Sequence, residues 1–227
     1  AAWYMHSDRD GKLYFKNVQN LNAKLESLVR AYLPEQAIKE LRTRLEELFR
    51  PSTGWCYQKV LALPAMDEIE LEQDKVTLVI TEPYSGGGLR QEIRDFYEQT
   101  TWKNRVAFLS GPKNTYDTLI ETGKRLKAIQ HIIDELVKEK TPENDPQMVQ
   151  SKDLADRIRG NFHSAVRETF TVLWYPPIAD KATLESADFS MKFDGNKYNG
   201  EQQILELLKE KQKFTEDIAS ETFRKKC

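Results

Sequence analysis

The sequence is poor in the residues that build metal, redox and disulfide sites. Its 227 residues include two cysteines and three histidines. Cys56 and Cys227 form neither a Cys-x-x-Cys pair nor a disulfide framework, and His6, His131 and His163 lack the spacing of a histidine metal site. We therefore expect these residues to hold no metal or cofactor, and the cysteine usage favours a reducing, cytoplasmic compartment.

Long apolar runs and an excess of charge are also lacking. The longest apolar runs, such as 76–80 and 106–109, are far shorter than the roughly 20 residues of a membrane-spanning helix. The 34 Lys and Arg residues are balanced by 36 Asp and Glu residues, so no overall field attracts nucleic acid or anionic lipid. We expect no membrane partner, and any attraction to nucleic acid must come from a local patch.

Apolar residues make up 39% of the chain, which is enough for a buried core. The pattern predicts strands that alternate with helices, and therefore an α/β layered fold with a mostly parallel sheet flanked by helices. We predict a β-hairpin and a helical pair over 1–52 and an α/β domain over 53–227. Predicted helices cover 20–33, 35–49, 89–99, 115–138, 146–168 and 199–213, and predicted strands cover 57–63, 75–81, 105–110, 170–175 and 188–193.

The first residues predict a hairpin because Asp10 and Gly11 form a turn signal between two aromatic-rich runs. Such a hairpin could be the edge of a sheet or the wing that follows a helix-turn-helix. Arg9, Lys12 and Lys16 surround it and are the candidate nucleic-acid contacts, because a wing tip can reach a backbone phosphate or a minor groove.

The stretch TLVITEPYSGGGLR at 77–90 runs from an apolar strand into three glycines and toward a helix. A Walker phosphate loop would place a Lys and a Ser or Thr directly after the glycines, and this chain has Leu and Arg there. The glycines could still bind a phosphate or serve as a flexible turn. The candidate phosphate-ligand residues are therefore Gly86, Gly87 and Gly88, with Lys113 in the loop after the next strand.

Other features leave two interpretations open. The aromatics of 173–177 could stack on bases or pack in the core. His131 and Asp134 lie three apart on one helix, where they could form a catalytic pair or a surface hydrogen bond. Ser85 is not in the Gly-x-Ser-x-Gly pattern of hydrolases. The sequence therefore contains no recognisable catalytic residue.

Several phrases together resemble the carboxyl-terminal part of a family of large AAA+ ATPases of bacteria and archaea, known as a domain of unknown function, number four hundred and ninety-nine. The phrases are DGKLYF at 10–15 leading to QNL at 19–21, ITEP at 80–83, GGG at 86–88, NRVAFL at 104–109, RETF at 167–170 and NGE at 199–201. The resemblance implies a parent ATPase of anti-phage defence clusters that uses ATP and magnesium. The nucleotide-binding motor domain of that parent protein would precede Ala1, and the hairpin would be the wing of a winged helix.

The chain opens without Met, and we expect it to be a piece of a longer protein. Its expected function is that of a non-catalytic accessory domain that binds DNA, another defence protein or the ATPase core of the same chain. The alternative is an enzyme domain with an unrecognised phosphate-ligand site at the carboxyl ends of the strands.

Overall fold

A computed structural model describes the backbone of residues 2–7, 13–18, 20–85, 88–177, 183–194 and 198–214, and the side chains of these residues from 20 onward. The described helices are α1 Leu21–Ala31, α2 Pro34–Leu48, α3 Gln91–Gln99, α4 Tyr116–Lys138, α5 Pro146–Thr169 and α6 Gly200–Glu210. The described strands are β1 Ala2–Ser7, β2 Leu13–Val18, β3 Lys59–Ala62, β4 Thr77–Ile80, β5 Val106–Ser110, β6 Val172–Tyr175 and β7 Glu185–Asp188.

These elements confirm the predicted α/β class with a hairpin and a helical pair before the main sheet. The chain groups into two compact units, one of residues 1–40 and 117–165 and the other of residues 41–116 and 166–227. The predicted division into domains at residue 52 stays a prediction.

The first unit contains the hairpin and helical segments. Strands β1 and β2 pair antiparallel from Ala2 with Val18 to Ser7 with Leu13. Asn20 caps α1, because its Oδ1 accepts hydrogen bonds from two backbone N–H groups of the first turn. Lys24 of α1 lies 2.6 Å from Glu135 of α4, an ion pair between partly exposed side chains.

The second unit is built on a five-stranded sheet with the order β3-β4-β5-β6-β7. Strands β3, β4 and β5 are parallel to one another, while β6 is antiparallel to both β5 and β7. It follows that β7 runs in the direction of the first three strands and that β6 alone is reversed within this sheet. The sheet is therefore mostly parallel, as predicted.

Both faces of β4, an interior strand of the sheet, are buried, which explains its successive apolar residues 78–80. On one face, Val79 pairs with Phe108 and both belong to a core cluster that includes Ile93 and Tyr97 of α3. Leu78 and Ile80 point to the opposite face, since side chains alternate along a strand, and both are fully buried. The sheet therefore packs apolar side chains on both of its faces.

The predicted strand over 188–193 is displaced in the structure, where β7 covers Glu185–Asp188. The alternation that suggested it is real, since Phe189 and Met191 are buried. The Phe189 N–H still donates to Thr171 O at 2.7 Å, directly beyond the end of the β6–β7 ladder. The alternation of buried and exposed residues thus continues beyond the end of β7, so it does not show where the strand ends.

Among the described residues, no helix combines the length and the apolar character that crossing a membrane requires.

Candidate functional site

The candidate site lies at the ends of β4 and β5, where the chain leaves two adjacent parallel strands. We call it the carboxyl edge, formed by the described residues of 81–90 and 110–116. Thr81 N donates to Leu109 O at 2.9 Å and Tyr84 N donates to Gly111 O at 3.3 Å. Tyr84 and Pro112 form a parallel bridge. The two loops therefore run side by side for several residues beyond the strands.

Gly111 allows the second loop to pass close to the backbone that precedes β6. A Cβ atom at this position would lie 1.9 Å from the carbonyl oxygen of Thr169, well inside contact distance. Thr171 N donates to Ser110 O at 3.0 Å beside it, and the hydroxyl groups of Thr115 and Thr169 lie 2.9 Å apart. The backbone on both sides of Gly111 is thus fixed by hydrogen bonds, which holds the Lys113 loop in place.

Two ion pairs lie at or near the carboxyl edge. Arg90, the residue before α3, pairs with Glu82. Arg42 of α2 donates from Nη1 to Glu68 Oε1 at 3.1 Å, and from Nε to the carbonyl oxygen of Leu63 at 2.9 Å. The acid that the sequence places where an anion would approach, Glu82, is therefore matched by a guanidinium group.

Tyr116 is buried among these charges at the start of α4. Burial raises the pKa of its phenol, and the nearby Glu82 carboxylate raises that pKa further, while Arg90 and Arg42 oppose the effect. The phenol is therefore neutral at physiological pH and can serve as a hydrogen-bond donor. It is not a base.

Lys113 is the exposed cation of the carboxyl edge. It begins the 3-10 turn Lys113–Thr115 that leads into α4, and it makes no ion pair with any residue that the structure describes. The first turns of α3 and α4 both follow this edge, and helix amino termini carry partial positive charge. The helix amino termini and the Lys113 ammonium group, which pairs with none of the described acidic residues, both favour an anion here.

Gly88 adjoins an aromatic ring and a second guanidinium group. A Cβ atom on Gly88 would lie 3.0 Å from Arg94 Nη2 and 4.0 Å from the ring of Trp174. The Arg94 guanidinium lies 5.8 Å from the centre of that ring, and Trp174 Nε1 donates to Ser110 Oγ at 2.9 Å. A small cleft of about 80 Å³ opens beside them, lined by Leu89, Arg94, Tyr97, Glu98, Trp174, Thr183 and Leu184.

Trp174 and Tyr175 differ in burial, although both belong to the same aromatic run of the sequence. Tyr175 is buried, and Trp174 is half-buried with its ring packed on the α3 face of the sheet. The core interpretation of both side chains is favoured by this packing. Trp174 also lines the cleft beside Gly88.

The sequence-predicted site residues are distributed as follows. Arg9, Lys12, Gly86 and Gly87 lie outside the described residues, and Lys16 lies in β2 opposite Tyr4. Gly88 and Lys113 both lie at the carboxyl edge, in the neighbouring loops that follow β4 and β5.

Three residues of the site were missed by the sequence analysis, namely Tyr84, Arg90 and Tyr116. Arg90 carried the clearest signal, since it is a basic residue at a helix start just beyond an acid in the same loop. The position of Tyr116 near Glu82 depends on tertiary structure and gave no local signal.

His131 does not form the pair with Asp134 that its spacing allowed. Its Nε2 lies 3.4 Å from Glu135 Oε1, one full turn along α4, while Asp134 accepts a hydrogen bond from Gln130 at 2.8 Å. The structure therefore shows neither the catalytic pair nor the surface hydrogen bond between His131 and Asp134, and each residue contacts a different side chain of α4. Across the part of the chain that the structure describes, no group of three or more His, Cys, Asp and Glu side chains could hold a metal ion.

Comparison with protein-family models, with curated proteins and with solved structures gives no match for this chain.

Proposed function

We propose that this chain is a ligand-binding accessory module and that its carboxyl edge binds a phosphate-bearing ligand. The observation that carries the proposal is the side-by-side course of the two candidate loops, through the Tyr84–Pro112 bridge and the hydrogen bond from Tyr84 N to Gly111 O. In open α/β sheets, ligands bind in the crevice outside the carboxyl ends of the strands. The sequence placed glycines and a Lys in these two loops.

The charges at this edge support an anionic ligand. Glu82 is paired with Arg90, so it does not repel an anion as a free carboxylate would. Lys113 is exposed and has no ion-pair partner among the described residues. A phosphate group can therefore bind the Lys113 ammonium group without breaking the ion pair between Glu82 and Arg90.

The test is a calorimetric titration of the chain with ADP, ATP and inorganic phosphate, together with two matched variants. Lys113→Gln removes the cation of the carboxyl edge, and Lys103→Gln removes a cation at the opposite end of β5. We expect binding to weaken about tenfold in the first variant, because a charge-assisted hydrogen bond contributes about 1.5 kcal/mol or more. The second variant should bind like the wild type. Equal effects of the two changes, or no binding at millimolar ligand, would refute the site.

The role as an accessory part of a larger AAA+ ATPase rests on the resemblance. It agrees with the lack of a Walker lysine after the glycines of 86–88. The proposal predicts that the chain alone releases no phosphate from ATP. Steady ATP turnover that Lys113→Gln abolishes would favour the enzyme alternative.

A second candidate function is contact with DNA through the β1–β2 hairpin. The observation that favours it is the antiparallel register, in which Ser7 pairs with Leu13 and residues 8–12, with Arg9 and Lys12, connect the two strands. Fluorescent duplex DNA, titrated at low and physiological salt, tests it with the double variant Arg9→Ala and Lys12→Ala. Binding that weakens with salt and with this change supports the wing. Binding that depends on Lys113 instead assigns DNA to the carboxyl edge.

A further inference from the structure

Five hydrogen-bond donors converge on one buried carboxylate in the second unit. Oε2 of Glu201 accepts from Ser52 N at 2.5 Å, Ser52 Oγ at 2.9 Å and Thr53 N at 2.8 Å. Oε1 accepts from Thr53 Oγ1 at 2.9 Å and from Trp55 N at 2.9 Å. We call residues 52–55 the receptor loop. Its groups donate hydrogen bonds to both oxygen atoms of the Glu201 carboxylate.

The backbone of the receptor loop explains why its N–H groups point to one place. Gly54 has φ +68, a left-handed conformation that residues with a Cβ atom adopt at a cost. A left-handed residue within a tight turn rotates successive peptide groups so that their N–H bonds form an anion-binding concavity. The loop therefore has the geometry of a preformed oxyanion site, with two hydroxyl groups added by Ser52 and Thr53.

The carboxylate in this site belongs to the chain itself. Glu201 is the second residue of α6 and is 1% exposed. The donors that contact it are neutral, and their hydrogen bonds compensate the loss of hydration that burial imposes. Burial by itself would raise the pKa of Glu201, but the hydrogen bonds from Thr53 and Ser52 outweigh it and hold the pKa at about 2.

The residue before Glu201 has no room for a side chain. A Cβ atom on Gly200 would lie 2.4 Å from Cδ1 of Phe49 and 3.0 Å from Leu48 O. The amino end of α6 is therefore pressed against the end of α2 while Glu201 reaches the receptor loop. Both features fix the same end of one helix.

We propose that the receptor loop is an oxyanion-binding site in its own right and that Glu201 is its intramolecular ligand, which fastens the amino end of α6. The ligand class is a small carboxylate, because the donors divide between two oxygen atoms of one planar group. Glu201→Ala removes one methylene carbon and the carboxylate, and these heavy atoms are those of acetate. Free acetate should therefore occupy the vacated loop.

Thermal unfolding of the full chain tests this in sodium acetate against sodium chloride at equal ionic strength and neutral pH. For Glu201→Ala we expect the midpoint to rise by about 4 °C when acetate exceeds its Kd tenfold. The wild type should unfold alike in both salts. Glu206→Ala is the matched control, since it removes an exposed carboxylate of the same helix and should give no acetate response. Acetamide, the neutral analogue, should not replace acetate.

A second variant tests the receptor if Glu201→Ala does not fold. Thr53→Val deletes one donor hydroxyl and keeps the backbone and the carboxylate. We expect the pKa of Glu201, followed by carbon NMR of its carboxyl group, to rise toward its ordinary value of 4.5. Thr101→Val, at an exposed position of the same unit, should leave that pKa unchanged. An unchanged pKa in Thr53→Val, or equal midpoints of Glu201→Ala in the two salts, would overturn the proposal.

Discussion

Gly111→Ala should destabilise the protein more than any ordinary exposed substitution, because the added carbon meets backbone atoms that cannot turn away. The new Cβ would lie 1.9 Å from Thr169 O, whereas ordinary contacts begin at 3.4 Å. The backbone at Gly111 and the backbone at Thr169 would have to move apart by the difference, about 1.5 Å, or distort by an equivalent amount. No rotation of a side chain can relieve this overlap.

The magnitude follows from the hydrogen bonds that such a separation breaks. Thr171 N lies 3.0 Å from Ser110 O, so a further 1.5 Å takes this bond beyond hydrogen-bonding distance. Ser110 is fully buried, so its carbonyl oxygen would lose its partner away from water, at a cost of about 1–3 kcal/mol. Overpacking adds about 1–3 kcal/mol. We therefore expect a loss of about 3 kcal/mol or more in the free energy of unfolding.

Gly160→Ala is the matched control, because its Cβ would meet nothing within 4 Å. Gly160 lies inside α5, where replacing Gly with Ala improves helix propensity by about 0.8–1 kcal/mol, so this change should stabilise. Urea unfolding, followed by far-UV circular dichroism and by tryptophan fluorescence, measures both variants. Trp55, Trp102 and Trp174 all belong to the second unit and report on Gly111. A Gly111→Ala variant within about 1 kcal/mol of the wild type would refute the packing argument.

Three further outcomes are expected. Phe108→Ala should cost about 3–5 kcal/mol in urea unfolding, because the ring is fully buried between the sheet and α3. Gly200→Ala should cost about 1–3 kcal/mol through its overlap with the Phe49 ring, and a double-mutant cycle with Phe49→Leu should recover part of that loss. Since the pKa of Glu201 is lowered from 4.5 to about 2, its contribution is fully present above pH 4.5 and is lost as the pH falls toward 2. Acid titrations of stability should therefore lose up to about 3 kcal/mol more in the wild type than in Glu201→Gln.

The elements that the sequence predicts well are those in which local pattern and tertiary burial agree. The run at β4 is apolar at successive positions because both faces of the sheet are covered, and it was predicted as a strand. The helix predicted over 20–33 is found as α1, and its start at Asn20 is fixed by cap contacts only two and three residues away. Pro34 ends the first predicted helix and begins α2, which also follows from local backbone geometry.

The features that the sequence could not predict depend on contacts between distant residues. The sequence Asn199-Gly-Glu-Gln has the spacing of a reciprocal helix cap, and Asn199 Oδ1 accepts from Gln202 N at 3.0 Å. The Gln202 side chain, however, donates to Glu206 instead of returning to the cap. The decisive residue of that pattern is Glu201, whose partner Ser52 is 149 positions away along the chain. No local pattern contains a contact of that range.

The two anion sites that we propose for this protein differ in a way that glycine content does not reveal. The receptor loop needs a single left-handed glycine, Gly54, and it already holds a carboxylate. The carboxyl edge lies beside a run of three glycines in the sequence, and its exposed Lys113 makes no ion pair with a described residue. Because an occupied receptor excludes a second anion, phosphate added to the wild type should bind at the carboxyl edge, where Lys113→Gln affects it. Acetate should raise the thermal midpoint of Glu201→Ala whether or not Lys113 is present. A negative result at one site therefore leaves the proposal for the other site intact.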